Sequence, residues 1–107
     1  MSENTIIIPI YNDWKSLNKL LAEINRNINS SDIYKVLIID DCSIQKIDIE
    51  NTNLDKIKEI KILSLKENLG SQKSISIGLN YLNIPNNDFY IIIMDGDGED
   101  NPSEIKQ

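Results

Sequence analysis

Tyr34-Lys35-Val36-Leu37-Ile38-Ile39-Asp40-Asp41 is the stretch that decides the fold class of this chain. Aliphatic side chains follow one another without the polar alternation of a half-exposed strand, and the run stops at two carboxylates. A continuous apolar run of this length fits a strand covered on both faces, as the strands of a parallel sheet are. Upstream, Thr5-Ile6-Ile7-Ile8-Pro9-Ile10 has the same character and is closed by Pro9. Downstream lie Ile60-Lys61-Ile62-Leu63-Ser64-Leu65, whose alternation predicts a more exposed face, and Phe89-Tyr90-Ile91-Ile92-Ile93-Met94, which ends in Asp95.

The segments between these runs read differently. Leu17, Leu20, Leu21, Ile24 and Ile28 keep the three-and-four spacing of one helical face, and Asn12 or Asp13 can cap its start. A second helix is predicted from about Ser71 to Leu82, with Ile75, Leu79 and Leu82 inward and Gly78 allowing close packing. Pro85 stops its continuation. Cys42 to Lys58 is polar and reads as a loop with a weak helical turn around Leu54 and Ile57. The order strand, helix, strand, weak helix, strand, helix, strand predicts a doubly wound α/β domain. Its mainly parallel sheet should run in the spatial order third, second, first, fourth. Asn101-Pro102-Ser103-Glu104 reads as a further helix start close to Gln107, which points to a partial domain.

Composition narrows the function. With 107 residues the chain has room for one small domain. Seventeen acidic residues stand against eleven basic ones, so a phosphate-neutralising face for nucleic acid is not expected. There is no histidine, which excludes imidazole catalysis and imidazole metal ligation. The single cysteine excludes an intrachain disulfide and a zinc cluster, and fits a cytoplasmic setting. No apolar run approaches the ~20 residues of a membrane span. The high frequency of Ile, Asn and Lys reads as compositional habit without functional content.

Ligands of open α/β sheets bind outside the carboxyl ends of the strands. At that edge the sequence places Pro9-Ile10-Tyr11-Asn12-Asp13, Asp40-Asp41-Cys42-Ser43 and Asp95-Gly96-Asp97-Gly98-Glu99-Asp100. Crowded carboxylates repel unless solvated or bridged by a cation, and hard oxygen donors suit Mg²⁺ or Mn²⁺. A solvated acidic turn using glycine is the competing reading of that loop. An EF-hand is excluded, because Glu99 and Asp100 stand where its loop needs Asp or Asn and then Gly. For Asp40-Asp41 a cap or Asx-turn competes with contact to a base or ribose. Tyr11 can stack on a base or cover the sheet edge. Asn68-Leu69-Gly70-Ser71-Gln72-Lys73 leads into a helix N-terminus, a place suited to phosphate.

These motifs together resemble the glycosyltransferases of family two. The resemblance is carried in order by Ile6-Ile7-Ile8-Pro9-Ile10-Tyr11-Asn12-Asp13, Ile38-Ile39-Asp40-Asp41-Cys42-Ser43, Asn68-Leu69-Gly70 and Met94-Asp95-Gly96-Asp97-Gly98-Glu99-Asp100-Asn101-Pro102, and covers nearly the whole chain. The last run looks most like the polyprenyl-phosphate sugar transferases, the dolichyl-phosphate mannose synthase branch. The resemblance implies the nucleotide-binding half of a Rossmann-like GT-A domain, truncated within residues 1–107. It implies a nucleoside diphosphate sugar as donor, an acceptor such as a lipid phosphate, and a divalent cation. Pro9, Tyr11 and Asp13 would line the base pocket, Asp41 would contact the base with Asp40 beside it, and Lys73 would approach the diphosphate. Asp95 and Asp97 match the metal-binding DxD pair; Glu99 stands where that branch usually carries Gln and adds negative charge. The general base of inverting relatives is expected outside this chain, which alone would be inactive, and the full-length protein is expected in the cytoplasm at the inner face of a membrane.

Two rivals are weaker. A receiver-like signalling domain would carry its acidic pair after the first strand and an acceptor Asp after the third, where Ser64-Leu65-Lys66 stands. A non-catalytic α/β binding module would use the acidic loop only as a solvated turn. A partial domain leaves a sheet edge and a helix-bearing face without partners, so the chain is expected to self-associate. Sedimentation velocity checks this expectation: a monodisperse monomer with a sharp, high-temperature unfolding transition would count against it.

Overall fold

Strand β1 (Glu3–Ile10) stands at the centre of the sheet because its side chains are apolar on both faces. Ile6, Ile7 and Ile8 are completely buried. In the computed structural model, which describes residues 3–29, 31–50, 54–82 and 89–94, β1 pairs in parallel with β2 (Ile33–Asp40) and with β4 (Phe89–Ile93). The outer side of β2 pairs in parallel with β3 (Glu59–Ser64), giving the order β3-β2-β1-β4 that the sequence predicts. Pro9 sits inside β1, where a missing amide is ordinarily costly. Ile7 O accepts from Met94 on the β4 side and Ile10 O accepts from Asp41 on the β2 side, so by alternation residue 9 faces β4. The described β4 pairing stops at Ile93, opposite Ile7, so no ladder bond of the described sheet requires a donor at Pro9.

The pleat sends alternate residues of β1 to two cores. Ile6, Ile8 and Ile10 join Val36, Ile38 and the face of helix α1 (Trp14–Asn27). Leu17, Leu20, Leu21, Ile24 and Ile28 are all buried there, as the helical spacing predicts. Full burial of each such side chain stabilises the fold by about 1.5–3 kcal/mol. On the opposite face, Ile7, Leu37 and Ile39 pack with Leu63, Leu65 and Leu82. Helix α2 (Ser71–Leu82) approaches through its small residues: Ser74 and Gly78 are buried, whereas Leu79, expected inward, is exposed. A Cβ at Gly78 would lie 3.1 Å from Ile39 Cδ1 and 3.4 Å from Ile7 Cγ2. Small residues four apart bring the helix close, which turns Leu79 away. Ile91 and Ile93, on the same sheet face as Ile7 by their register, are 39% and 47% exposed, so this core is the thinner of the two.

The crossover from β2 to β3 is the loop with one turn that its polar sequence predicts. Residues 41–50 and 54–58 form no helix, and the predicted turn survives as Ile57 N donating to Leu54 O. Two asparagines of α1 support this chain in place of a helical ladder. Asn18 Oδ1 accepts from Glu50 N at 2.8 Å while its Nδ2 donates to Asp48 O at 2.8 Å. Two turns further along the same face, Asn25 Oδ1 accepts from Lys56 N at 2.8 Å and its Nδ2 donates to Asp55 Oδ1. A side-chain amide offers both a donor and an acceptor, so each asparagine acts as a stand-in for a neighbouring backbone. Asparagine abundance is therefore more than compositional habit at these two positions.

Burial separates the two clasps. Asn25 is 8% exposed and Asn18 is half-buried. Asn25→Ala strands the Lys56 amide where water replaces it poorly, and a loss of about 1–3 kcal/mol in urea unfolding is expected. Asn18→Ala should cost about 1 kcal/mol or less, because solvent reaches its partners.

Candidate functional site

All pairings are parallel, so the carboxyl ends of the strands share one rim. The opposite edge is tied by the partly exposed pair Lys35–Glu3, 2.6 Å apart, and hydrogen bonding to Glu3 raises the lysine's pKa. Exposed pairs of this kind contribute little. At the carboxyl rim the bonds are of a different kind. They run between loops, from side chain to backbone.

Of the five consecutive amides after β2, only the first is received by another strand. Asp41 N donates to Ile10 O at 2.9 Å and Cys42 N to Asp40 O at 2.8 Å. Ser43 N donates to Asp40 Oδ1 at 2.9 Å. Ile44 N and Gln45 N both donate to Asn12 Oδ1, at 2.7 and 3.0 Å. Two side chains, Asp40 and Asn12, supply acceptors to three of the five, half-buried Ser43 and exposed Ile44 and Gln45. Asn12 N in turn donates to Ser43 Oγ at 2.8 Å, which closes the link between the β1 and β2 loops. Asn12 and Cys42 both adopt left-handed backbone conformations, with φ of 62° and 60°. Asparagine tolerates this region; for cysteine it is a strained position, of order 1–3 kcal/mol, and such strain clusters at functional sites. Cys42 Sγ donates to Lys66 O at 3.5 Å.

Asp41 ties the β2 loop to the segment that enters α2. Its Oδ1 accepts from Leu69 N at 2.7 Å and its Oδ2 from Gly70 N at 2.9 Å. Asn68 Nδ2 donates to Asp41 O at 3.1 Å. Gly70 has φ of 91°, and its carbonyl receives both Ser74 N and Ser74 Oγ, so it begins the helix. The amides of Leu69 and Gly70, just before the helix N-terminus that the sequence offers to a phosphate, are thus taken by a carboxylate of the chain itself.

The expected site residues fall as follows. Pro9 is buried within β1. Tyr11, directly after β1, is 45% exposed. Asp13 is the N-cap of α1, accepting from Ser16 N at 3.1 Å. Asp40 and Asp41 are buried, at 6% and 4% exposed, and Lys73 is exposed in the first turn of α2. Asp95, Asp97 and Glu99, and the helix start at Asn101, lie outside the described residues. Among the described residues no group of three or more carboxylates or thiols could hold a metal ion, and no helix is long and apolar enough to cross a membrane. Sequence reasoning saw Asn12 only as a possible cap and missed its tie to the second loop. The available signal was its position: an asparagine just past a strand end, where a left-handed residue reverses the chain.

Residues 5–107 match the sequence profile described as Glycosyl transferase family 2. No curated protein matches the chain.

The Asp41 clamp yields a direct test. Asp41→Ala removes two charge-assisted bonds and leaves two amides without their acceptor. A loss of about 2–4 kcal/mol in unfolding free energy is expected. Amide exchange measured by NMR should quicken at Leu69 and Gly70 while Ile6–Ile8 stay protected.

Proposed function

Since the chain belongs to glycosyl transferase family 2, we propose that its carboxyl rim binds the nucleoside diphosphate of a sugar donor. The base lies at Tyr11 and the Asp40–Asp41 pair, with Pro9 and Asp13 shaping the pocket beside Tyr11. Lys73 and a divalent cation attend the diphosphate. The observation that supports this reading best is the contrast at the rim. Asp40 and Asp41 are buried and fully oriented by loop bonds, whereas Tyr11, in the loop that Asn12 ties to theirs, keeps an exposed ring. A base can stack on such a ring, and each Asp41 oxygen retains a second lone pair for a base or ribose donor.

The proposed reaction breaks the bond between the sugar's anomeric carbon and the diphosphate oxygen, which leaves with the electron pair. An acceptor oxygen forms the new bond with inversion; a phosphate acceptor attacks as its anion, whereas a hydroxyl acceptor would pass its proton to the general base expected outside this chain. The run from Met94 to Pro102 favours a polyprenyl phosphate as acceptor, and with it a place at the inner face of a membrane. Asp95, Asp97 and Glu99 form an all-oxygen donor set that fits Mg²⁺ or Mn²⁺, with Asp95 and Asp97 as ligands. The cation would neutralise charge on the departing diphosphate. Lys73 adds a positive charge for the same group.

Calorimetry with UDP and GDP, with and without Mn²⁺, tests the assignment. The single tryptophan, Trp14, starts α1 three residues after Tyr11 and gives a fluorescence readout of the same binding. Tyr11→Ala should weaken nucleotide binding about tenfold in the absence of metal, from loss of stacking worth roughly 1–3 kcal/mol. Asp97→Asn should abolish the increment that Mn²⁺ adds and leave metal-free binding unchanged. Binding that responds to neither substitution would show the site assignment to be wrong.

A further inference from the structure

We propose that Asn12 is a positioning residue for the nucleoside end of the site, acting through the loop at Ser43–Gln45. The inference rests on the nucleotide-binding reading above and adds to it a residue that touches no ligand. Asn12 Oδ1 receives two successive amides, from residues 32 and 33 positions away. One acceptor shared by two consecutive donors sets the direction of the loop as well as its distance. The backbone amide of Asn12 holds the same loop at Ser43 Oγ, so three bonds converge from both ends of one residue. Its left-handed conformation at φ 62° reverses the chain between Tyr11 and Asp13. One residue therefore sets where the exposed ring stands, where α1 is capped and where the loop leaving Asp40–Asp41 runs.

Ser43 carries the link inward. Its Oγ accepts from Asn12 and its amide donates to Asp40 Oδ1, so the orientation of the Asp40 carboxylate depends on the same tie. Loss of the Asn12 side chain removes an acceptor from Ile44 and Gln45 while leaving Ile6–Ile8 and the helix face of α1 untouched. The effect belongs to the geometry between two loops.

Three substitutions separate side chain from backbone. Asn12→Gly keeps the left-handed conformation and the bond to Ser43 but removes the acceptor. Asn12→Asp retains an oxygen in place for both amides. Asn12→Ala loses the acceptor and strains the backbone. With UDP and GDP as probes and no metal present, Asn12→Gly should weaken binding about tenfold, whereas Asn12→Asp should stay within about twofold of the parent. The increment contributed by Mn²⁺ should be the same in all three. Amide exchange should quicken at Ile44 and Gln45 in the Gly and Ala forms and not in the Asp form. Unchanged affinity in Asn12→Gly, or a matching loss in a folded Asn12→Asp, would overturn the proposal. Should the parent chain bind neither nucleotide, the nucleotide reading fails by itself. Exchange at Ile44 and Gln45 then decides whether Asn12 holds the loop, with unchanged protection in Asn12→Gly refuting that tie.

Discussion

A backbone amide that leaves a ladder needs another acceptor: past Asp41, whose amide still reaches Ile10 O of β1, the amides of Ser43, Ile44 and Gln45 are met by side chains. That constraint organises the rim of this sheet. Asp40 turns back to hold its own loop, Asn12 reaches across to hold the next two amides, and Asp41 reaches forward to hold the entrance of α2. Each is a short polar side chain at or just past a strand end. Short side chains lose little rotamer freedom when fixed, so the exchange of solvent for protein partners is affordable there. The crossover continues under the same rule, with Asn18 and Asn25 of α1 meeting Glu50 and Lys56.

Much of the fold was legible because it is written in periodicity. Ile6–Ile8 and Val36–Ile39 declare strands buried on both sides, and Leu17, Leu20, Leu21, Ile24 and Ile28 declare one helical face. The strand order followed from that alternation. What resisted reading was aperiodic. Bonds between Asn12 and Ile44, or Asp41 and Leu69, join residues about thirty apart and leave no local pattern. Asn12 reads as a cap, Asn18 and Asn25 carry no signal, and the polar stretch 42–58 reads as a loop with one turn because nothing local reveals its partners. Leu79 was misplaced for a related reason: hydrophobicity favoured it, but Ser74 and Gly78 let the helix come nearer through their smaller side chains. At the site, the aspartate pair is legible both as chemistry and as a cap or turn, and its hydrogen bonds bear out the second, although the distant partners of Asp41 are not legible.

That double character matters for reading the family. Glycosyl transferase family 2 membership accounts for the parallel sheet and the polar strand ends. In this chain, the same carboxylates carry the loops whose shape any nucleotide would meet. A substitution at Asp41 therefore changes two things together, the groups offered to a ligand and the course of residues 68–70. Tyr11 lacks that entanglement, since its ring is exposed and the backbone around it is held by Asn12. Effects on binding and on stability separate cleanly at the ring and remain coupled at the acids.

The long reach of these rim bonds also bears on how the chain folds. Helix α1 can form from contacts within a few turns, but Asn12 and Ile44 meet only after β1 and β2 have found their register. Loop closure must be met before such contacts return any stabilisation, so distant pairings form late. Asn12 to Gln45 and Asp41 to Gly70 at the rim, and Asn25 to Lys56 at the opposite edge, are of this type, with separations of 29 to 33 residues. Rim contacts of this kind are expected to have low φ-values, so that weakening one speeds unfolding more than it slows folding. The part of the molecule proposed to meet the donor is, on these grounds, expected to be completed late and to come apart early.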